Sequence, residues 1–374
     1  MTTAVSSKLP ESVSHAIYQG PAKGIKFEAG LPMPKILKPT DVIVKVLKTT
    51  ICGTDLHILR GNVSTCAEKR RIGHEGIGEI IEVGRDVKER KVGQRVLVSC
   101  ITACGNCVEC EEKFYGHCED GGWLLGNEID GMQGTFARIP HADYSTYIVP
   151  PQVWNTDVED GLVMCSDILP TGLELGLLDG GIKSGMTIAI VGVGPVGLAA
   201  LVSTSMFTPK ALFVIDTNDH RLEVCQQLGK LSGLENTEIH LIDNKDGDAV
   251  EQVMKLTKNR GVDLVIEAIG IPAGWYICQD IVRAGGHIAM LGVHGKPATI
   301  ALEKMWFRNF RLTAGVMHGY TIAGIMEKVI QGEVNPNCLI SHKMPMSQME
   351  KAYDMFQHAG MHKALKILIV NDIC

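Results

Sequence analysis

The chain has 374 residues, 45% hydrophobic and 21% charged, which suits two ordinary buried cores better than one. Its formal net charge of −6 argues against nucleic acid as a partner. The absence of an uninterrupted apolar run of about 18 residues argues against a membrane span. The stretch up to Gly20 has neither a signal-peptide core nor a basic amphipathic transit pattern, so a cytoplasmic location is expected. In that setting, twelve cysteines read as metal ligands and buried thiols, not as a disulfide framework.

Up to about residue 165 the chain is rich in short alternating runs and glycine turns. Residues 41–53, 78–83 and 94–100 are predicted strands. Turns at Gly84-Arg85-Asp86 and Lys91-Val92-Gly93 separate them, giving a mostly β or α+β lobe. The first predicted strand runs into Cys52-Gly53-Thr54-Asp55-Leu56-His57, and Gly73-His74-Glu75-Gly76 follows some twenty residues later. Singly, these residues have plain structural readings as a buried thiol, a satisfied loop histidine and a surface charge. Together, a thiolate, an imidazole and a carboxylate from separate loops suit a zinc site with one position left open for a substrate oxygen.

Cys104, Cys107, Cys110 and Cys118 stand at C-x2-C-x2-C-x7-C spacing within a lobe of about residues 100–120. Four thiolates around one Zn²⁺ make a closed, structural site that stabilises a loop without a core of its own. Two disulfides or a redox cluster are the alternatives. Cys100, nearby, is either a competitor for that ion or a pocket wall.

From about residue 170 the pattern becomes alternating strand and helix. Strands are predicted at 187–191, 211–216, 262–268 and 286–291, with helices from Val196 to Met206 and from Arg221 to Leu228 between them. This alternation implies a parallel, doubly wound α/β sheet with helices on both faces. Gly192-Val193-Gly194-Pro195-Val196-Gly197 follows the first of these strands and opens a helix, the correct context for a dinucleotide fingerprint. The helix N-terminus offers amides to a pyrophosphate. Asp216 ends the next strand, where a carboxylate accepts from both ribose hydroxyls and repels a 2′-phosphate, so NAD(H) is expected over NADP(H). Arg221 is near enough to blur that preference or to flank the adenine. Beyond residue 316, helices near 322–331 and 347–358 and a closing strand at 364–370 are expected.

Taken together, these motifs resemble the zinc-dependent medium-chain alcohol dehydrogenases, over about residues 15–370. Segments 168–176 and 267–297 resemble the branch acting on secondary alcohols and ketones. The resemblance implies a Rossmann doubly wound parallel sheet domain (170–315) and a mostly β, GroES-like catalytic domain built from 1–169 and the returning 316–374. It implies two Zn²⁺ per subunit and a homodimer or homotetramer. Cys52, His74 and Asp167 would hold the catalytic zinc, with Cys165 a rival to Asp167 and with Glu75 either a ligand or standing just behind. Thr54 and His57 would form a proton relay, and Asp55 would brace their loop. Thr171 would lie near the nicotinamide. Gly270, Ile271, Leu291 and Val293 would lie along the cofactor edge, and Lys363 would reach the pyrophosphate. Ile101, Trp123, Leu124, Val316 and Met317 would line the substrate pocket, although Trp123 reads equally as a core or subunit-contact aromatic.

Overall fold

The structure, a computed structural model, describes residues 10, 12–228 and 233–374. Fifteen strands are assigned among them. In chain order the first seven are β1 (Ser12–Tyr18), β2 (Ile25–Pro32), β3 (Val42–Thr50), β4 (Gly76–Val83), β5 (Arg95–Val98), β6 (Phe136–Ile139) and β7 (Thr146–Ile148). The next six are β8 (Thr187–Val191), β9 (Ala211–Asp216), β10 (Glu238–Asp243), β11 (Val262–Glu267), β12 (Val282–Met290) and β13 (Arg311–Ala314). β14 (Ile340–Pro345) and β15 (Lys366–Val370) complete the set.

The middle of the chain forms one six-stranded sheet in the order β10-β9-β8-β11-β12-β13, parallel at every pairing. Successive side chains point to opposite faces. Ile188, Ile190, Leu212, Val214, Leu264 and Ile266 therefore pack against Leu198 and Leu201 on one side. Ala189, Val191, Phe213, Ile215 and Val265 pack against Val253, Trp275 and Ile281 on the other. With both faces covered, these strands read as continuous apolar runs, and that made four of them legible. The order reverses beside β8, and the crevice at the carboxyl ends of β8 and β11 is where such a sheet binds ligands.

The second sheet draws on both ends of the chain. Its order is β14-β15-β3-β4-β5-β7, with β6 also paired to β3, and β15 is antiparallel to β3. Val42, Val44, Val46, Ile367 and Ile369 face one core, closed by Tyr353 and Phe356 of the helix Met349–Gln357. Ile77, Leu97 and Leu368 face the other way, into the core shared with the parallel sheet. No single helix among the described residues is long and apolar enough to cross a membrane.

Candidate active site

β3 ends at Thr50, and the helix Gly53–Leu59 starts immediately after Cys52. Asp55, in the first turn of that helix, reaches back so that its Oδ2 accepts the Cys52 N–H at 2.9 Å. His74 and Glu75 directly precede β4, whose first amide, on Gly76, donates to Ser166 Oγ at 3.1 Å. That bond joins β4 to the segment carrying Asp167.

The result is one cluster. Ligand atoms of Cys52, His74, Glu75 and Asp167 all lie within 4.8 Å of one another. Cys52 Sγ and His74 Nε2 each stand 3.4 Å from Asp167 Oδ2. A tetrahedral zinc with bonds of about 2.1 Å to nitrogen and oxygen separates such ligands by about 3.4 Å. The charges point the same way: Lys366 neutralises Glu75 at 2.6 Å, and the Asp167 carboxylate and Cys52 thiol converging in this buried site call for a further cation. Burial pushes the Cys52 thiol up, and the Asp167 carboxylate pushes it further. Burial would raise the Asp167 carboxyl too, but the hydrogen bond and charge of His74 outweigh this and hold it well below the usual range. The residues fit zinc.

Four sulfurs form the second cluster, also within 4.8 Å of one another. Cys104 Sγ lies 3.9 Å from Cys110 Sγ, and Cys107 Sγ lies 3.9 Å from Cys118 Sγ. A tetrahedron with Zn–S bonds of about 2.3 Å has an edge of about 3.8 Å. All four thiols are unpaired. This set also fits zinc, and it leaves no position for a substrate.

Between the two bodies lies a cavity of about 390 Å³. Cys52, His74, Asp167, Thr54 and His57 form one end, and Gly194, Pro195 and Val196 form the other. Ile101, Trp123, Val316 and Met317 line it, as do Thr171, Leu291 and Val293. Trp123 meets His74 edge-on at 5.9 Å. In the glycine loop, Gly192 has φ +89°, and a side chain on Gly197 would approach the Gly192 carbonyl to 2.0 Å. A side chain on Gly194 would meet only the Arg221 guanidinium, at 3.8 Å, and the N-terminus of the helix Pro195–Thr204 beside it suits a phosphate. Asp216 ties this loop down, its Oδ2 accepting the Val193 N–H at 2.8 Å. Arg221 lies 3.6 Å from the same oxygen.

Several expected residues lie elsewhere. Leu124 does not line the cavity; its carbonyl accepts the amides of Asn127, Glu128 and Ile129, so the residue anchors a turn. Gly270 and Ile271 are also absent from the lining, and Ala268 and Ile269 take that place, because β11 ends at Glu267. Ile271 is 48% exposed. Lys363 is exposed at the end of a short helix, in a left-handed turn with φ +52°. Cys165 is fully buried and outside the cluster, whereas Cys100 is a wall of the cavity.

Comparison with known proteins agrees with this geometry. Residues 38–151 match the alcohol dehydrogenase GroES-like domain, and residues 195–331 match the zinc-binding dehydrogenase domain. Zinc-type alcohol dehydrogenase B of Aspergillus flavus is 31% identical, across 89% of this chain and 77% of that protein. The chain belongs to the zinc-dependent medium-chain alcohol dehydrogenase family. The solved zinc-dependent alcohol dehydrogenase 2 from Streptococcus pneumonia superimposes with a TM-score of 0.89 at 40% identity, covering 97% of this chain and 99% of that one. A glutathione-independent formaldehyde dehydrogenase of Pseudomonas aeruginosa is 33% identical, over 69% of this chain and 65% of that protein.

Two buried residues beyond the expected set, Lys366 and Glu174, shape the site, together with Thr171. Lys366 of β15 donates from Nζ to Glu75 Oε2 at 2.6 Å and to the Ile51 carbonyl at 3.1 Å. Glu75 Oε1 is left buried without a partner. Thr171, expected beside the nicotinamide, also donates to Asp167 Oδ1 at 2.8 Å and so orients that carboxylate. Glu174 accepts the amides of His318, Gly319 and Thr321 and the Thr321 hydroxyl, pinning the segment that carries Val316 and Met317. Neither Lys366 nor Glu174 sits in a recognisable motif. Each isolated charge inside an apolar run, in ALKILIV and TGLELG, was the available signal.

Proposed function

We propose that the chain is an NAD(H)-dependent secondary alcohol dehydrogenase and ketone reductase with two zinc ions per subunit. The observation that carries this is Asp167 beside Cys52 and His74, facing a cavity whose substrate side is apolar. A carboxylate donates less charge to the metal than a thiolate would, which suits the polarisation of ketones, weaker electrophiles than aldehydes. When bound, the zinc supplies Lewis acidity at the substrate oxygen and the nicotinamide supplies the hydride acceptor or donor.

The chain's own residues do the rest. Cys52, His74 and Asp167 hold the catalytic metal, with Glu75 beside them. Cys104, Cys107, Cys110 and Cys118 hold the structural one. Thr54 takes the proton of the substrate hydroxyl and His57 delivers it to solvent. Ile101, Trp123, Val316 and Met317 exclude water from the reduced cofactor. Asp216 accepts the adenosine ribose hydroxyls, which supports NAD(H) over NADP(H); Arg221, 3.6 Å from that carboxylate, flanks the adenine or blurs the preference.

We infer a homo-oligomer from β13, an edge strand, and from Trp306 and Phe307 beside it, 70% and 75% exposed. Twelve unpaired cysteines support a reducing, cytoplasmic location. We draw the catalytic domain as 1–169 with 316–374, around a cofactor domain at 170–315.

Zinc-loaded enzyme is expected to reduce NAD⁺ faster with 2-butanol than with 1-butanol. A preference for 1-butanol, or no turnover of either, overturns the substrate claim. It would favour the second reading, a polyol, primary alcohol or formaldehyde–thiol dehydrogenase of the same family; a formaldehyde dehydrogenase is among the chain's relatives, one that is glutathione-independent. A non-enzymatic nucleotide binder is disfavoured because a complete ligand set and relay are retained.

A further inference from the structure

Behind the catalytic cluster runs a line of buried polar side chains that the chemistry above does not use. Tyr353, on the helix Met349–Gln357, donates its hydroxyl to Gln133 Oε1 at 2.5 Å across 220 residues of sequence. The Gln133 amide nitrogen donates to Asp55 Oδ2 at 2.8 Å and to the Thr50 carbonyl at 3.0 Å. Gln133 is fully buried, Asp55 is 1% exposed and Tyr353 is 2% exposed. Polar groups buried this deeply are costly unless each one finds a partner, and here each donor dictates the next.

The order of constraint can be followed atom by atom. Two acceptors, Asp55 Oδ2 and the Thr50 carbonyl, turn the Gln133 amide nitrogen toward themselves, and the Tyr353 hydroxyl locks that orientation by donating to the oxygen on the other side. Asp55 Oδ2 then accepts from both Gln133 and the Cys52 amide. Asp55 Oδ1 has no hydrogen bond and faces His74 Nδ1 at 3.6 Å, itself otherwise unpartnered. With Nε2 turned toward Cys52 and Asp167 as a metal ligand, the hydrogen sits on Nδ1 and faces the Asp55 carboxylate, so the position of Asp55 sets the aim of the ring. Packing enforces the same arrangement. Gly73 has φ +100°, and a side chain there would come within 2.4 Å of Gln133 Cγ, so the glutamine lies directly on the backbone preceding His74.

We propose that Gln133 and Tyr353 are positioning residues of the catalytic metal site, fixing Asp55 and through it the tautomer and aim of His74 and the placement of Cys52. This rests on the reading of Cys52, His74 and Asp167 as zinc ligands. The test measures metal retention in the full-length protein. Zinc release to an excess of chelator is followed in wild type, Tyr353→Phe and Gln133→Met, and the visible spectrum of the cobalt-substituted site is recorded for each. The tyrosine variant loses one oxygen atom and keeps the ring that fills the core.

Both variants are expected to release the catalytic zinc about tenfold to a hundredfold faster, with an altered cobalt spectrum, while the four-cysteine zinc leaves at the wild-type rate. Wild-type release with an unchanged cobalt spectrum in both variants overturns the inference. Equal acceleration at both metal sites also overturns it, since that is general destabilisation. A wild-type protein that holds only the four-cysteine zinc overturns the underlying reading, and is recognised before any variant is compared.

Discussion

His57 is half-buried at the mouth of the cavity, 3.3 Å from the Asn62 amide. Burial, assisted by the Arg60 charge, holds its pKa below the ordinary 6.5. The neutral imidazole therefore persists to lower pH than a free histidine allows, and proton acceptance fails only as pH falls through the lowered value. His57→Gln is expected to slow alcohol oxidation at neutral pH on the order of 10²-fold and to remove the acid limb of kcat/KM lying below pH 6.5, measured as a pH–rate profile. Linkage works against the fold on the same side: the unfolded chain takes up this proton first, so His57 costs stability as pH falls below 6.5. At this scale, Cys52 and His74 were legible as candidates because residues on short loops keep their motif and spacing. Lys366, Glu174 and Gln133 were not. Their partners lie 291, 144 and 78 residues away, and no local pattern encodes such a contact.

Among the elements, the segment carrying Val316 and Met317 has few regular backbone bonds of its own and relies on Glu174. Glu174→Ala strands three backbone amides and a hydroxyl that the carboxylate now satisfies. It is expected to destabilise the fold by about 3 kcal/mol, measured as a shift in the urea midpoint at unchanged slope. KM is expected to rise as two cavity walls loosen. The strands at 187–191 and 211–216 were readable to the residue because continuous apolar runs bounded by turns have one interpretation inside a doubly covered sheet. β10, β13 and β14 escaped notice. EIHLID and ISHKMP carry polar residues on half-exposed faces, and RLTA is four residues long, so periodicity had little to act on.

Across the whole molecule, β13 ends the parallel sheet with one side unpaired, and Leu302, Trp306, Phe307 and Leu312 are exposed near it. Burying each large side chain contributes roughly 2 kcal/mol. Trp306→Ser and Phe307→Ser are each expected to weaken self-association about 30-fold, seen by sedimentation at decreasing protein concentration. The two sheets also differ in how they use the chain. The parallel sheet comes from one continuous stretch, whereas β15 must insert between β14 and β3, far apart in sequence. A ribosome delivers the chain from its N-terminus, and domains generally fold as units as they emerge. The parallel sheet can thus close while β3 still waits for its neighbour. Until Lys366 arrives, Glu75 lacks the ammonium that neutralises it, and until Tyr353 arrives, Gln133 Oε1 lacks its donor. Translation therefore delivers these supports after the residues they steady, and a message cut short before the codon for Tyr353 yields a chain with Cys52, His74, Glu75 and Asp167 present and neither support in place.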